Sequence, residues 1–303
     1  MGAGVASEMS QPGTPTDASR DWRALRLRAE AIARRVREGQ HRGRGPGLGG
    51  DPDDAHPYTP GDPARAIDWR LLARRGRPFV RLRVQEASVR IGVVIDRSAS
   101  MAHADKLGAA CELVASLASV ARRTGDRVLL IGAHAPPGTP DRRAEALYTQ
   151  LRAIEPGRGR TLASDIPSPG SLGDGVDALV CVGDTFESVE PLVRALAGAR
   201  HAPGGRRRRV VLVQLISRED LPAGGLVGST LAVDPETGRR VAIEGGAVRE
   251  RYAEALDAHT RQLRARLAPS GCRLVVARVE EGTGAALRKL LRAIAPGAIP
   301  SGG

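Results

Sequence analysis

Residues 89–101 read VRIGVVIDRSASM. The first part, VRIGVVID (89–96), is a short continuous apolar run closed by an aspartate, the pattern of a strand covered on both faces. After Asp96, hydroxyls recur at alternate positions, Ser98 and Ser100. Alternate residues of an extended segment point the same way. One carboxylate and two hydroxyls are therefore offered together at the carboxyl end of a strand, a set too weak for most catalysis but suited to a hard cation.

Strands and helices alternate outward from this stretch. Residues 105–123 place Leu107, Ala110, Cys111, Val114, Leu117, Ala118 and Ala121 on one side of a helix. Further strands are expected at RVLLIGAH (127–134), DALVCVGD (177–184), RRVVLVQLI (208–216) and CRLVVARV (272–279), with helices near 142–153, 188–199, 247–268 and 283–294. STLAVDPETGRRVAIE (229–244) reads as two short strands about a Glu-Thr-Gly turn. His259, within the 247–268 stretch, is read as a helix-face residue, not a ligand. The alternation predicts an α/β fold, a doubly wound, mainly parallel sheet with helices on both faces. In such sheets ligands bind beyond the carboxyl ends of strands.

Towards the N-terminus the pattern is less regular. Residues 1–19 are polar and rich in Gly, Pro, Ser and Thr, the composition of a disordered tail. Leu25, Ala29, Ile32 and Val36 share one face of a helix near 20–38. GQHRGRGPGLGGDPDDAHPYTPGD (39–62) is irregular, DPARAIDWRLLARRG (62–76) suits a helical turn starting at Asp62–Pro63, and PFVRLRVQEA (78–87) alternates like a strand with one wet face. The expected layout is a tail over 1–19, an N-terminal helix, loop and strand over 20–86, an α/β domain over 87–296 and a tail over 297–303.

Composition narrows the function classes. With 303 residues and 41% apolar content the chain can bury a sizeable core. Its 46 Lys and Arg exceed 34 Asp and Glu, giving a net charge of +12. Lys106 and Lys289 are the only lysines, and aromatics make up 2%, so platforms for stacking bases are scarce. The basic run Arg206–Arg209 abuts an apolar strand and reads as a solvated strand entrance rather than a nucleic-acid patch, with arginine-driven nucleic-acid binding as an alternative function. Cys111, Cys181 and Cys272 are far apart in apolar stretches, which suits core thiols in a reducing compartment better than disulfides or a zinc site. No apolar run is long enough to span a membrane, and a cytoplasmic location is expected.

Two later pieces complete the candidate site. Thr161 lies in GRGRTLA (157–163), and Asp184 closes the DALVCVGD strand. Asp96, Ser98, Ser100, Thr161 and Asp184 are all hard oxygen donors, the kind Mg²⁺ prefers. Ser and Asp after a strand also cap helices and close turns, which is the structural alternative. An enzymatic alternative is a Mg²⁺-dependent phosphohydrolase with Asp96 as nucleophile. That chemistry calls for an acid two residues on, where Ser98 stands, and for a late lysine, where only Lys289 is on offer. His103 is near the motif but reads equally as a loop residue.

DRSASM (96–101) resembles the metal-ion-dependent adhesion site of von Willebrand factor A domains. The resemblance implies a doubly wound fold in which Ser98 and Ser100 bind the metal directly, Asp96 and Asp184 act largely through waters, and Thr161 joins in some states. YTPGDPARAIDWRLLAR (58–74) is similar to the signature that precedes the A-like domain in domain-of-unknown-function family 58. Tyr58, Pro60, Gly61, Asp62, Arg65, Ile67, Asp68, Trp69, Ala73 and Arg74 carry that match, with Glu86, Lys106, DPETG (234–238) and RYAEALDAHTRQL (251–263) beyond it. The resemblance covers roughly residues 40–295. One departure is Arg-Thr-Leu at 160–162, where an acid often follows the threonine. An adhesion-type site of neutral hydroxyls leaves its cation open to a partner's acidic residue, so a non-enzymatic, Mg²⁺-dependent interaction module is expected, and the family resemblance implies a MoxR-type AAA+ ATPase as its partner. In the signature, Asp62, Arg65, Asp68 and Arg74 alternate in sign and suit a paired network, with Trp69 as an apolar anchor. The alternative for this segment is a docking surface for a partner.

Overall fold

The computed structural model of the chain describes residues 22–41, 55–60, 62, 67–81, 88–131, 140–168, 170–172, 175–220, 229–244 and 248–295. The expected tails at 1–19 and 297–303 lie outside them, as do Gly61, Arg65 and Glu86. The chain divides into a smaller unit, residues 37–88, and a larger one, residues 1–36 with 89–303. The first described helix, α1 (Trp22–His41), runs through the boundary at residue 36. Leu25, Ala29 and Val36 are buried in the core of the larger unit, so this helix groups with the sheet domain and not with the 20–86 segment expected from sequence.

In the smaller unit β1 (Ala55–Pro57) pairs antiparallel with β2 (Phe79–Arg81), and α2 (Trp69–Arg75) lies between them in sequence. A helical turn starting at Asp62–Pro63 falls on residues 63–66, outside the described residues, and α2 itself begins at Trp69. Asp68 is its N-cap, accepting from the Arg70 and Leu71 amides at 2.9 and 3.2 Å. Asp62 instead closes a turn, accepting from the Thr59 amide and hydroxyl, each at 2.9 Å. Phe79 and Val80 are buried, with the Arg75 and Arg77 guanidinium groups 5.3 and 5.6 Å from the Phe79 ring centre. Tyr58 is half-buried, and its amide donates to Pro78 O at 3.0 Å. Trp69 is 67% exposed, not the expected apolar anchor, because α2 buries none of its residues. Arg74 is exposed in the last turn of α2, where a cation suits the helix dipole.

The larger unit holds β3 (Arg90–Ile95), β4 (Arg127–Leu130), β5 (Ala178–Gly183), β6 (Arg209–Ile216), the pair β7 (Ser229–Val233) and β8 (Arg240–Glu244), and β9 (Arg273–Arg278). Its helices are α3 (Lys106–Thr124), α4 (Pro140–Arg152), α5 (Leu162–Asp165), α6 (Val189–Ala199), α7 (Val248–Leu267) and α8 (Thr283–Ile294). Five strands form one parallel sheet in the order β4-β3-β5-β6-β9, and β7 and β8 form a separate antiparallel hairpin. This is the doubly wound α/β fold expected from the alternation of elements.

Side-chain alternation along the strands divides the core between two faces. Val93, Ile95, Val180, Val182, Val211 and Val213 pack with Leu25, Ala110, Leu147 and Leu287, which places α1, α3, α4 and α8 on one face. Val94, Leu179, Cys181 and Leu212 pack with Leu162, Leu192 and Leu263, which places α5, α6 and α7 on the other. Double coverage explains why β3, β5 and β6 read as unbroken apolar runs. The chain passes from β3 outward to β4, then returns to the far side of β3 to lay down β5. The connection reverses between β3 and β5, and the crevice beyond their carboxyl ends is where such a sheet places a ligand. Among the described residues, no helix is long and apolar enough to cross a membrane.

Candidate metal-binding site

Asp96 and Asp184 are the residues that leave β3 and β5 at the reversal, and they are 2% and 1% exposed. The Asp96 amide still donates to Val182 O at 2.8 Å, so the sheet fixes its backbone. The Ser98 amide donates to Asp96 Oδ1 at 2.9 Å. The Ser98 and Ser100 hydroxyl oxygens stand 3.0 Å apart. Buried Met101 anchors the loop beneath them. Thr161 is the N-cap of α5, its hydroxyl accepting from the Ser164 amide at 3.2 Å. The Gly157 amide donates to Arg97 O at 2.7 Å, and Arg97 forks onto Asp165 at 3.2 and 2.8 Å, which holds the Thr161 loop against the serine loop. All five residues predicted from sequence line a single cleft of about 650 Å³.

The cleft gathers negative charge. Lys106 Nζ donates to Asp184 Oδ2 and Asp220 Oδ1, each at 2.8 Å, and is itself 1% exposed beneath the Phe186 ring, 4.7 Å from its centre. Asp96 has no ion pair among the described residues. Burial pushes its carboxyl up to about 6, opposed by the Ser98 amide and assisted by the nearby Asp184 charge. Glu187, from the loop after β5, is pushed up to about 7 by burial and by Asp96, although it accepts from the Ala163 amide and the Thr161 hydroxyl. Glu236, in the β7–β8 turn, accepts from the Ser100 amide at 2.8 Å through Oε1, while its Oε2 is buried without a partner among the described residues.

This donor set fits a small divalent cation. Octahedral Mg²⁺ with bonds of about 2.0–2.1 Å places adjacent ligand oxygens about 3 Å apart, the separation of the two serine hydroxyls. Buried carboxylates without compensating charge are costly, and a cation relieves that cost. No cluster of three or more His, Cys, Asp or Glu side chains forms a metal cage among the described residues, so the set depends on its hydroxyls. Ala104, Asp105 and Thr185 are the non-glycine residues with positive φ among the described residues, and all lie in the loops after β3 and β5. Strain of this kind concentrates at functional sites.

Some cleft residues were not singled out from sequence. Glu187 stands beside Thr161 and supplies an acid that the Arg-Thr-Leu stretch lacks. Glu236 comes from a turn 136 residues beyond Ser100, and no local spacing signals its approach. His259, read as a helix-face residue, lines the cleft and donates from Nε2 to Thr185 O at 2.8 Å. His103 is exposed, with Nε2 3.1 Å from Glu219 O. Lys289 pairs with Glu281 at 2.7 Å, and the lysine that serves the cleft is Lys106.

Residues 54–262 match the family described as Protein of unknown function DUF58. Uncharacterized protein Mb1516 of Mycobacterium bovis and uncharacterized proteins MT1527 and Rv1480 of Mycobacterium tuberculosis are each 28% identical to the chain over 293 residues, covering 88% of it and 83% of their own length. No solved structure matches. The family match takes in the segment around Tyr58–Arg74 and every loop that builds the cleft, and the chain belongs to the DUF58 family.

Proposed function

We propose that the protein is a metal-dependent protein-interaction module, not an enzyme, acting in the cytoplasm as an adaptor or co-chaperone. The observation that carries this reading is two neutral hydroxyls 3.0 Å apart, set beside two buried aspartates at the carboxyl ends of neighbouring strands. Bound Mg²⁺ would supply an electrophilic centre with a coordination position for an outside carboxylate. The chain's own residues tune that centre. Ser98 and Ser100 bring no charge, so they leave the cation's charge largely uncompensated. Asp184 shares its charge with Lys106 and donates correspondingly little. Asp96 spends Oδ1 on the Ser98 amide, which keeps the serine loop in register.

The resemblance of DRSASM to the adhesion sites of A domains supports the same reading, with a partner's Asp or Glu as the final ligand. The family resemblance supports a MoxR-type AAA+ ATPase as that partner. The chain has no G-x-x-x-x-G-K-[ST] loop of its own, so the energy for any remodelling would come from the ATPase.

Calorimetric titration of Mg²⁺ into the full chain should show saturable uptake that Ser98→Ala abolishes. Co-purification with a MoxR-type ATPase should be lost on adding chelator and in Ser98→Ala. Mg²⁺-dependent hydrolysis of p-nitrophenyl phosphate that Asp96→Asn abolishes would overturn this reading in favour of a phosphohydrolase.

A further inference from the structure

The β7–β8 turn is built to present one side chain. Asp234 accepts from the Glu236 amide at 2.9 Å and from the Thr237 hydroxyl, and the Gly238 amide donates to Asp234 O at 2.8 Å. These bonds fix the turn and leave the Glu236 side chain to reach the serine loop, where Oε1 takes the Ser100 amide at 2.8 Å. That contact brings the Glu236 carboxylate into a cleft also lined by Asp96, Asp184, Glu187 and Asp234. Its second oxygen, Oε2, is buried and has no hydrogen-bond partner among the described residues. A carboxylate oxygen shielded from water and left unbonded among other acids is costly, and a cation held by the adjacent hydroxyls would satisfy it.

A glutamate carboxylate beside Ser100 is also, chemically, what a partner's acidic residue would present there. We propose that Glu236 is an acidic ligand the chain supplies to its own cation, holding the place a partner's Asp or Glu would take until the β7–β8 hairpin moves away. This rests on the metal-site reading above and adds the regulation of that site. Among the described residues the hairpin pairs only with itself, β7 to β8, outside the five-stranded sheet, so lifting it breaks no described strand pairing of the sheet.

The test uses Mn²⁺ with the full chain, measuring affinity by calorimetry and counting exchangeable bound water by proton relaxation, on wild type, Glu236→Gln, Glu236→Ala and Ser98→Ala. Glu236→Gln retains an oxygen for the Ser100 amide but loses the charge, so it separates ligation from docking. Glu236→Gln and Glu236→Ala should each bind Mn²⁺ at least about tenfold more weakly than wild type. Both should show higher relaxation enhancement, because water fills the freed position, and added acetate should lower that enhancement in Glu236→Ala but not in wild type. Glu236→Gln and Glu236→Ala with wild-type affinity and relaxation would overturn the inference while leaving the metal site standing. Wild type that takes up no Mn²⁺, or Ser98→Ala that binds it unchanged, would remove the metal site and the inference with it.

Discussion

At Gly183 the last residue of β5 passes so close to Asp96 that a Cβ there would stand 2.6 Å from Asp96 Cβ and Oδ2. Asp96 Cβ is fixed to its backbone and cannot swing aside. Gly183→Ala should therefore shift Asp96, reduce Mg²⁺ uptake at least about tenfold and cost about 1–3 kcal/mol of stability. Calorimetry and urea denaturation report the two effects, and unchanged Mg²⁺ affinity would show that Asp96 is not needed where it stands. Lys106 presents a different balance. Its ammonium is the counter-charge to Asp184 and Asp220, all three being at most 2% exposed. Lys106→Met leaves two buried carboxylates facing each other and should cost about 3–5 kcal/mol. Adding Asp220→Asn should recover part of that loss, read as the denaturant midpoint at constant slope. Asp96, Ser98 and Ser100 were legible because they are neighbours on one strand and loop, and Asp184 because it ends an apolar run in the same way. The partnership of Lys106 with Asp184, and the arrival of Glu187 and Glu236, depend on how separate loops dock, and no short window of sequence encodes that.

Among the elements, period decided what could be read. The strands at the sheet centre are covered on both faces and the longer helices bury one stripe, so β3, β5, β6, α3, α6, α7 and α8 follow from apolar pattern alone. Pattern does not say which core a stripe enters, and α1 shows the consequence. Its face of Leu25, Ala29, Ile32 and Val36 was evident, yet its place against the sheet domain was not. If α1 is a covering layer of that domain, Leu25→Ala, at a side chain 6% exposed, should lower stability by about 2–5 kcal/mol. Leu27→Ala, at a side chain 67% exposed, should stay within about 0.5 kcal/mol. Equal, small effects at both positions in urea denaturation would detach the helix from that core. The short α2 failed as an anchor for a related reason. With no buried residue, its position rests on the Asp68 cap and the adjoining strand pair, and Trp69 at its first turn faces water.

For the molecule as a whole, the three cysteines provide natural probes of cooperativity. Cys111 belongs to the core on one face of the sheet, and Cys181 and Cys272 to the core on the other. Burial raises all three thiols, Cys111 to about 12, and leaves little reactive thiolate while the chain is folded. The same shift gives a sign for pH. A thiol that keeps its proton in the folded state and loses it in the unfolded state, near 9.0, adds stability that is complete below that value. This contribution falls by about 1.4 kcal/mol per thiol per pH unit as pH rises towards the folded value. The denaturation midpoint should therefore drop steadily above pH 9. The sheet is shared, since every strand side chain on one face is covalently one residue from a side chain on the other. Loss of either helical layer therefore exposes the backbone that supports both. Iodoacetamide labelling across a urea series at pH 8, read by mass spectrometry of each cysteine peptide, should give one common midpoint for Cys111, Cys181 and Cys272. Labelling of Cys111 at distinctly lower urea would show instead that the face covered by α3 opens by itself, and that the two cores are separate units of stability.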